Sequence, residues 1–189
     1  MNETALLLFI HGYATPWLDG LFILSHRLGT LPACLALVLG SIAWHAARRE
    51  WRAVLLWLLV GVSTGLLFLG LKPAFGRARP NLWTPLVTES GYAFPSGHAL
   101  ASATFYPLLA WLTLGLRGKR FLAFSIGLPL FVGFGRLYLC VHWPTDVLAG
   151  WLLGAAQATA GILWARAGAV SSPSPAPDRA ADTARGAGA

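Results

Sequence analysis

Five apolar runs, each close to the length that crosses a bilayer, constrain this chain more than any other feature. They cover residues 30–46, 53–71, 97–116, 121–139 and 145–165. A helix rises 1.5 Å per residue, so about 20 residues cross a hydrocarbon core about 30 Å thick. Runs this apolar leave no polar face for water, which excludes an ordinary soluble domain. Charge agrees: only 11% of the 189 residues are charged, against about 25% in soluble domains. Nine Trp suit a chain that meets two membrane–water interfaces, where indole rings sit well. The expectation is an all-α, polytopic membrane helix bundle with about five transmembrane helices.

The ends read differently. Residues 4–28 hold two shorter apolar stretches divided by Pro16, the second carrying Asp19, His26 and Arg27. They are expected as interfacial helices; the competing reading is a deeper helix continuous with the first span. Residues 1–10 contain Glu3 and no Lys or Arg, unlike the positive start of a secretory signal. The tail from 167 to 189 is rich in Ala, Gly, Pro and Ser and is expected to be disordered. The expected organisation is therefore N-terminal interfacial helices (1–29), a transmembrane domain (30–166) and a tail (167–189). Cys34 and Cys140 match no metal spacing. They are read as small apolar residues, with a disulfide left open because both fall near one membrane face.

The formal net charge is +7, but no basic arm mixed with aromatics suggests nucleic acid. The cations cluster instead between apolar runs: Arg48, Arg49 and Arg52, then Arg117, Lys119 and Arg120. With five spans, these loops and Arg166 share one side, cytoplasmic by the positive-inside rule. Segments 72–95 and 140–144 then lie together on the outer face. Lys72, Arg77 and Arg79 in the first of these break the charge rule locally, which calls for a functional reason.

Three outer clusters carry the chemistry: Lys72 to Pro80, Pro95-Ser96-Gly97-His98, and Arg136 with His142 and Asp146. Lys72, Arg79 and Arg136 converge with few nearby carboxylates, a site for a dianion. Arg offers paired donors to phosphate oxygens and Lys a point charge. Ser96-Gly97 stands where a helix begins, with free N–H groups that favour phosphate, and Gly97 lets the backbone approach closely. Asp146, four residues after His142, can orient one ring nitrogen and leave the other to attack. His98 then has the acid–base role at the leaving oxygen. Taken singly, each is more often a turn, a snorkelling cation or a hydrogen-bonded filler. Their concurrence beside the membrane core argues for function, because charge there is costly. Arg77 is ambiguous, Glu89 and His11 read as solvated or interfacial, and His26 and His45 as structural.

Lys72-x6-Arg79-Pro80, Pro95-Ser96-Gly97-His98 and Arg136-x5-His142-x3-Asp146 together resemble the three signatures of the type 2 phosphatidic acid phosphatases. The resemblance covers roughly residues 53–165. It implies a helical membrane core, no metal or other cofactor, and a phospho-histidine intermediate. Carried over, His142 is the nucleophile, Asp146 its partner and His98 the general acid. Lys72, Arg79, Arg136, Ser96 and Gly97 form the phosphate pocket. One departure stands out: the family usually has Ser before the third-motif Arg, where this chain has Gly135. Weaker phosphate binding is expected there.

The resulting expectation is a metal-independent lipid phosphatase of the cell's inner (plasma) membrane, its active site on the periplasmic face. Its partners are a lipid phosphate (polyprenyl diphosphate, phosphatidylglycerol phosphate or phosphatidic acid) and membrane lipids. Phosphotransfer through the same intermediate and a non-catalytic headgroup-binding role are the rivals. A metal site at His98, His142 and Asp146 is disfavoured by the nearby cations. The related vanadium haloperoxidases are soluble, unlike this chain.

Overall fold

A computed structural model of the chain describes residues 2–170. Seven helices follow in order: α1 (Glu3–His11), α2 (Pro16–Leu28), α3 (Leu31–Ala47), α4 (Trp51–Phe75), α5 (Gly97–Leu108), α6 (Gly118–Tyr138) and α7 (Pro144–Val170). Local chemistry sets several boundaries. Asn2 Oδ1 accepts from Ala5 N at 2.8 Å to cap α1. Thr15 caps α2 at Leu18 N, with Pro16 in the first turn, where its missing N–H costs nothing. Gly76 ends α4 in the left-handed region at φ 56°, its N–H bonded to Lys72 O, the usual glycine stop.

By length and apolar composition, α4, α6 and α7 can each cross a membrane, and α2 with α3 forms a pair bent by 48°, the geometry of a broken span or of a re-entrant loop. The second N-terminal stretch therefore adjoins the first expected span across a bend at Gly29 and Thr30. The run at 97–116 is α5 continued by a π-helical turn at Leu109–Thr113. It is the centre of the bundle, with Ala99 to Leu108 all buried. Lipid-facing apolar residues sit on its neighbours, such as Leu66 and Leu69 on α4 and Leu152 on α7.

The closest seam lies between α5 and α7. A Cβ at Gly150 would stand 2.7 Å from Ser96 O, and one at Gly154 2.5 Å from Leu100 O. Small residues four apart let two backbones meet where lipid supplies no hydrophobic drive. This seam fixes the start of α5 against the start of α7, and so places Ser96 beside Asp146: Ser96 N donates to Asp146 O at 3.0 Å.

The opposite end is basic and indole-rich. Arg117 and Arg166 both lie over the Trp111 ring, and Arg52 over Trp164. His45 is buried there, bonded to Glu50 at 2.6 Å and Thr113 at 3.2 Å. Cys34 and Cys140 are both free. The helix α7 reaches Val170, so residues 167–170 of the expected disordered tail are helical; the rest of that tail lies outside the described residues.

Candidate active site

The turn between α6 and α7 delivers His142. Cys140 takes a left-handed φ of 56°, Val141 N returns to Arg136 O at 3.2 Å, and the Trp143 indole bonds to Ala78 O at 3.0 Å. His142 is buried, with Nε2 3.1 Å from Arg79 Nη1. A guanidinium only donates, so Nε2 carries the lone pair and Nδ1 the proton. Burial, then the positive fields of Arg136, Arg79 and Lys72, hold this imidazole well below its usual range. It is therefore a neutral ring whose Nε2 electron pair accepts from the Arg79 guanidinium.

Asp146 stands behind it. Its Oδ2 lies 3.5 Å from His142 Nδ1, beyond a good hydrogen bond. The expected direct link is thus loose, because both carboxylate oxygens are already engaged. Oδ2 accepts from Trp143 N at 2.8 Å and Oδ1 from Arg77 Nη1 at 2.7 Å.

The three expected phosphate cations do converge. Arg79 is held by Ser90 O, Gly91 O and Val141 O at 2.7–3.1 Å. Arg136 is fully buried, with its Nε without a partner among the described residues. Lys72 Nζ donates to Tyr92 O at 2.5 Å. The reading of few nearby carboxylates needs correction, and so does the solvated Glu89. Glu89 Oε1 lies 2.5 Å from Arg136 Nη2, and Oε2 3.7 Å from Arg79 Nη2. One carboxylate thus bridges both guanidiniums.

Ser96 and Gly97 sit at the start of α5 as expected. Ser96 Oγ accepts from Ala99 N at 3.4 Å as the helix cap. The need for Gly97 is steric: a Cβ would stand 2.6 Å from the Phe68 ring. His98 points its Nδ1 at Glu89 Oε1, 3.8 Å away, and its buried Nε2 has no partner among the described residues.

Residues of α2 complete the site, which the sequence reading missed. His26 is not an independent structural residue. Its Nδ1 pairs with Arg136 Nη1 at 2.7 Å, and its ring stacks on His98 at 5.0 Å. Gly29 makes room for this: a Cβ there would lie 2.4 Å from His98 Cδ2. The missing hydroxyl at Gly135 has a counterpart as well. A Cβ on Gly135 would fall 2.0 Å from the buried Ser25 Oγ, so α2 puts a serine into that space. The available signal was weak: polar residues inside an apolar run. His11, expected at the interface, stacks on Trp83 at 4.0 Å.

His26, Glu89 and His98 offer ligand atoms within 4.8 Å of one another. The Arg136 guanidinium already bonds to two of the three, so a cation has to displace it.

Comparison with known proteins gives this arrangement its place. The PAP2 superfamily model matches residues 51–168, a stretch that contains every expected site residue. The chain belongs to the PAP2 superfamily and is a membrane phosphatase acting on phosphoric esters. Among its relatives, phosphatidylglycerophosphatase B of Bacillus subtilis is 35% identical over 146 residues, 74% of this chain and 71% of the relative. An undecaprenyl-diphosphatase of Sulfolobus acidocaldarius is 42% identical over 65 residues, 33% of this chain and 29% of the relative. The crystal structure of a transmembrane PAP2-type phosphatidylglycerolphosphate phosphatase from Bacillus subtilis superposes with a TM-score of 0.76 at 30% identity, covering 87% of this chain and 85% of that one.

Proposed function

We propose that this enzyme hydrolyses the terminal phosphate of a lipid phosphomonoester or diphosphate through a phospho-histidine at His142. The observation that carries the reading is the Glu89 carboxylate bridging Arg79 and Arg136. It marks a pocket built for an anion, flanked by the neutral His142 and by His98. The substrate's phosphate takes the place of that carboxylate.

The chemistry then runs in two displacements. His142 Nε2 attacks phosphorus as the bond to the lipid oxygen breaks, and His98 gives that oxygen a proton. Water next attacks phosphorus as its bond to His142 Nε2 breaks, giving a proton to His98 and releasing inorganic phosphate and the free imidazole. Lys72, Arg79 and Arg136 hold the charge that builds on the phosphoryl oxygens, and Asp146 steadies the imidazole.

Phosphatidylglycerol phosphate is the favoured substrate, since the more extensive likeness is to proteins named for it; polyprenyl diphosphate and phosphatidic acid follow. The basic, indole-lined end suits the cytoplasmic side of the inner membrane. On this reading the site faces the periplasm.

The test is phosphate release by the purified protein in detergent with chelator present. Phosphatidylglycerol phosphate, undecaprenyl diphosphate and phosphatidic acid are each offered to wild type, His142→Ala and His98→Ala. Wild type releases phosphate, and each variant loses roughly 10³-fold or more while staying folded. Turnover by His142→Ala near the wild-type rate would refute the intermediate. A phosphorylated acceptor without free phosphate would make the protein a transferase.

A further inference from the structure

Arg77 and Glu3 take no part in the three signatures, and Glu3 lies outside the residues matched by the family model. Both nevertheless close a ring of charged hydrogen bonds around Asp146. Arg77 Nη1 donates to Asp146 Oδ1 at 2.7 Å and to Thr145 Oγ1 at 2.6 Å. Its Nη2 donates to Glu3 Oε2 at 2.5 Å. Glu3 Oε1 accepts from Thr145 N at 2.9 Å and Thr145 Oγ1 at 2.7 Å. Thr145 directly precedes Asp146, so the ring closes on the first turn of α7. The backbone of Arg77 is itself pinned, Ala93 N donating to its carbonyl at 2.8 Å.

We infer that Glu3 of α1 is a positioning residue for the His142–Asp146 pair, acting through Arg77. The physical reason is competition for one guanidinium. An arginine with both terminal nitrogens free prefers to grip a carboxylate with two parallel bonds. Such a grip on Asp146 would take Oδ2 as well as Oδ1 and turn the carboxylate away from His142. Glu3 occupies the second nitrogen, so Arg77 gives Asp146 a single bond. Oδ2 then stays with Trp143 N and faces His142 Nδ1. The Glu3 charge also offsets that of Arg77, which leaves the charge of Asp146 available to an imidazole that becomes positive as it is phosphorylated. Burial raises the Glu3 carboxyl's pKa, but hydrogen bonds from Thr145 and Arg77 outweigh it and hold the group below its ordinary range, hence anionic. Its place at the start of α7 favours the same charge.

The inference rests on the phosphatase reading above, and the experiment separates the two. The full chain is purified in detergent as wild type, Glu3→Gln, Arg77→Ala, Asp146→Asn and the doubles Glu3→Gln/Arg77→Ala and Glu3→Gln/Asp146→Asn. The readings are kcat and KM on the best substrate of the panel, with melting temperature alongside. Glu3→Gln is expected to lower kcat roughly tenfold, the scale of one charge-assisted bond, with KM changed less than about twofold. In either double variant Glu3→Gln costs nothing further in kcat, because its route to His142 is already cut. Two results overturn the inference: normal kcat in Glu3→Gln with only a lower melting temperature, or an equal tenfold loss in all three backgrounds. Both describe a mere strap between α1 and α7. Failure of the phosphatase reading looks different, since wild type would then release no phosphate at all.

Discussion

The outer end of the bundle and its midsection are both polar regions inside an apolar protein, and they are wired in opposite ways. Midway along α4, α5 and α7, Gln157 bonds to Thr64, Thr104 and Ser63 at 2.7–3.2 Å. Each hydroxyl also has a backbone carbonyl within reach, Val60 O for Ser63 and Thr64 and Leu100 O for Thr104, so Thr64 and Thr104 each share one proton between that carbonyl and Gln157 Oε1. That network is neutral and closed. The outer end is charged and left open. Three of the five buried side-chain atoms without a partner among the described residues are there: His98 Nε2, His142 Nδ1 and Arg136 Nε. Unpaired buried polar atoms are costly and rare. Their concentration in one cluster teaches that the midsection is arranged for holding helices together, and the outer end for receiving a charged group.

The sharpest way to break that contrast is at the edge of the outer region, where α6 meets α2. Gly135→Ser restores the residue usual in the family but drives its Cβ to 2.0 Å from Ser25 Oγ. Overpacking of this kind costs about 3 kcal/mol, enough to lower melting temperature and yield of active protein sharply. Adding Ser25→Gly, which clears the space, should recover most of both. If Gly135→Ser alone is as stable and active as wild type, α2 does not fill the serine's place.

Protonation offers the next test. Burial, then the cations around His142, hold its imidazole well below the usual range and so keep the ring neutral. An ordinary imidazole near 6.5 is about 97% protonated at pH 5, roughly thirty protonated rings to each neutral one. Because the folded pKa is depressed, the neutral ring of His142 should persist as pH falls through that window. Nitrogen NMR of labelled histidine in the substrate-free protein, assigned with His142→Gln, reads this directly. A signal titrating near 6.5 would mean that the site is wetter and less charged than the geometry requires.

Glu89 sharpens the comparison by testing what the open end awaits. If its carboxylate stands in for a phosphate, Glu89→Gln removes the competing charge while keeping the shape. Vanadate, which mimics five-coordinate phosphorus, should then bind about tenfold tighter, or about 1.4 kcal/mol. Weaker vanadate binding would make Glu89 a support for Arg136.

Much of this was legible in the chain, and the missing part has a common cause. The long apolar runs gave α4, α6 and α7, and three short motifs placed Lys72, Arg79, His98, Arg136, His142 and Asp146 at one end. Motif spacing works because each set sits on one helix end or one turn. The neighbours of Arg136 were not legible in the same way. Glu89 is 47 residues away and His26 110 residues away, and no local period connects them. Glu3 meets Thr145 across 142 positions. The bend at Gly29 brings α2 against His98 of α5, a contact between distant segments that no local pattern marks. What sequence conceals here is the N-terminal contribution to a site whose motifs all lie elsewhere.

The smallest effect should come from the midsection itself. Gln157→Leu removes the residue that ties Ser63, Thr64 and Thr104 together. Yet each of those hydroxyls keeps its backbone acceptor, so none is left to face lipid unbonded. Loss of interhelical hydrogen bonds within membranes costs about 0.6 kcal/mol each on average, and a leucine of similar length regains packing. Stability measured by denaturant in detergent should therefore fall by about 1 kcal/mol or less, with kcat and KM unchanged. A marked fall in kcat would carry a different message. It would mean that the seam of α5 and α7 transmits the state of the midsection to Ser96 and Asp146, and that the two regions are coupled through the very glycines that let them pack.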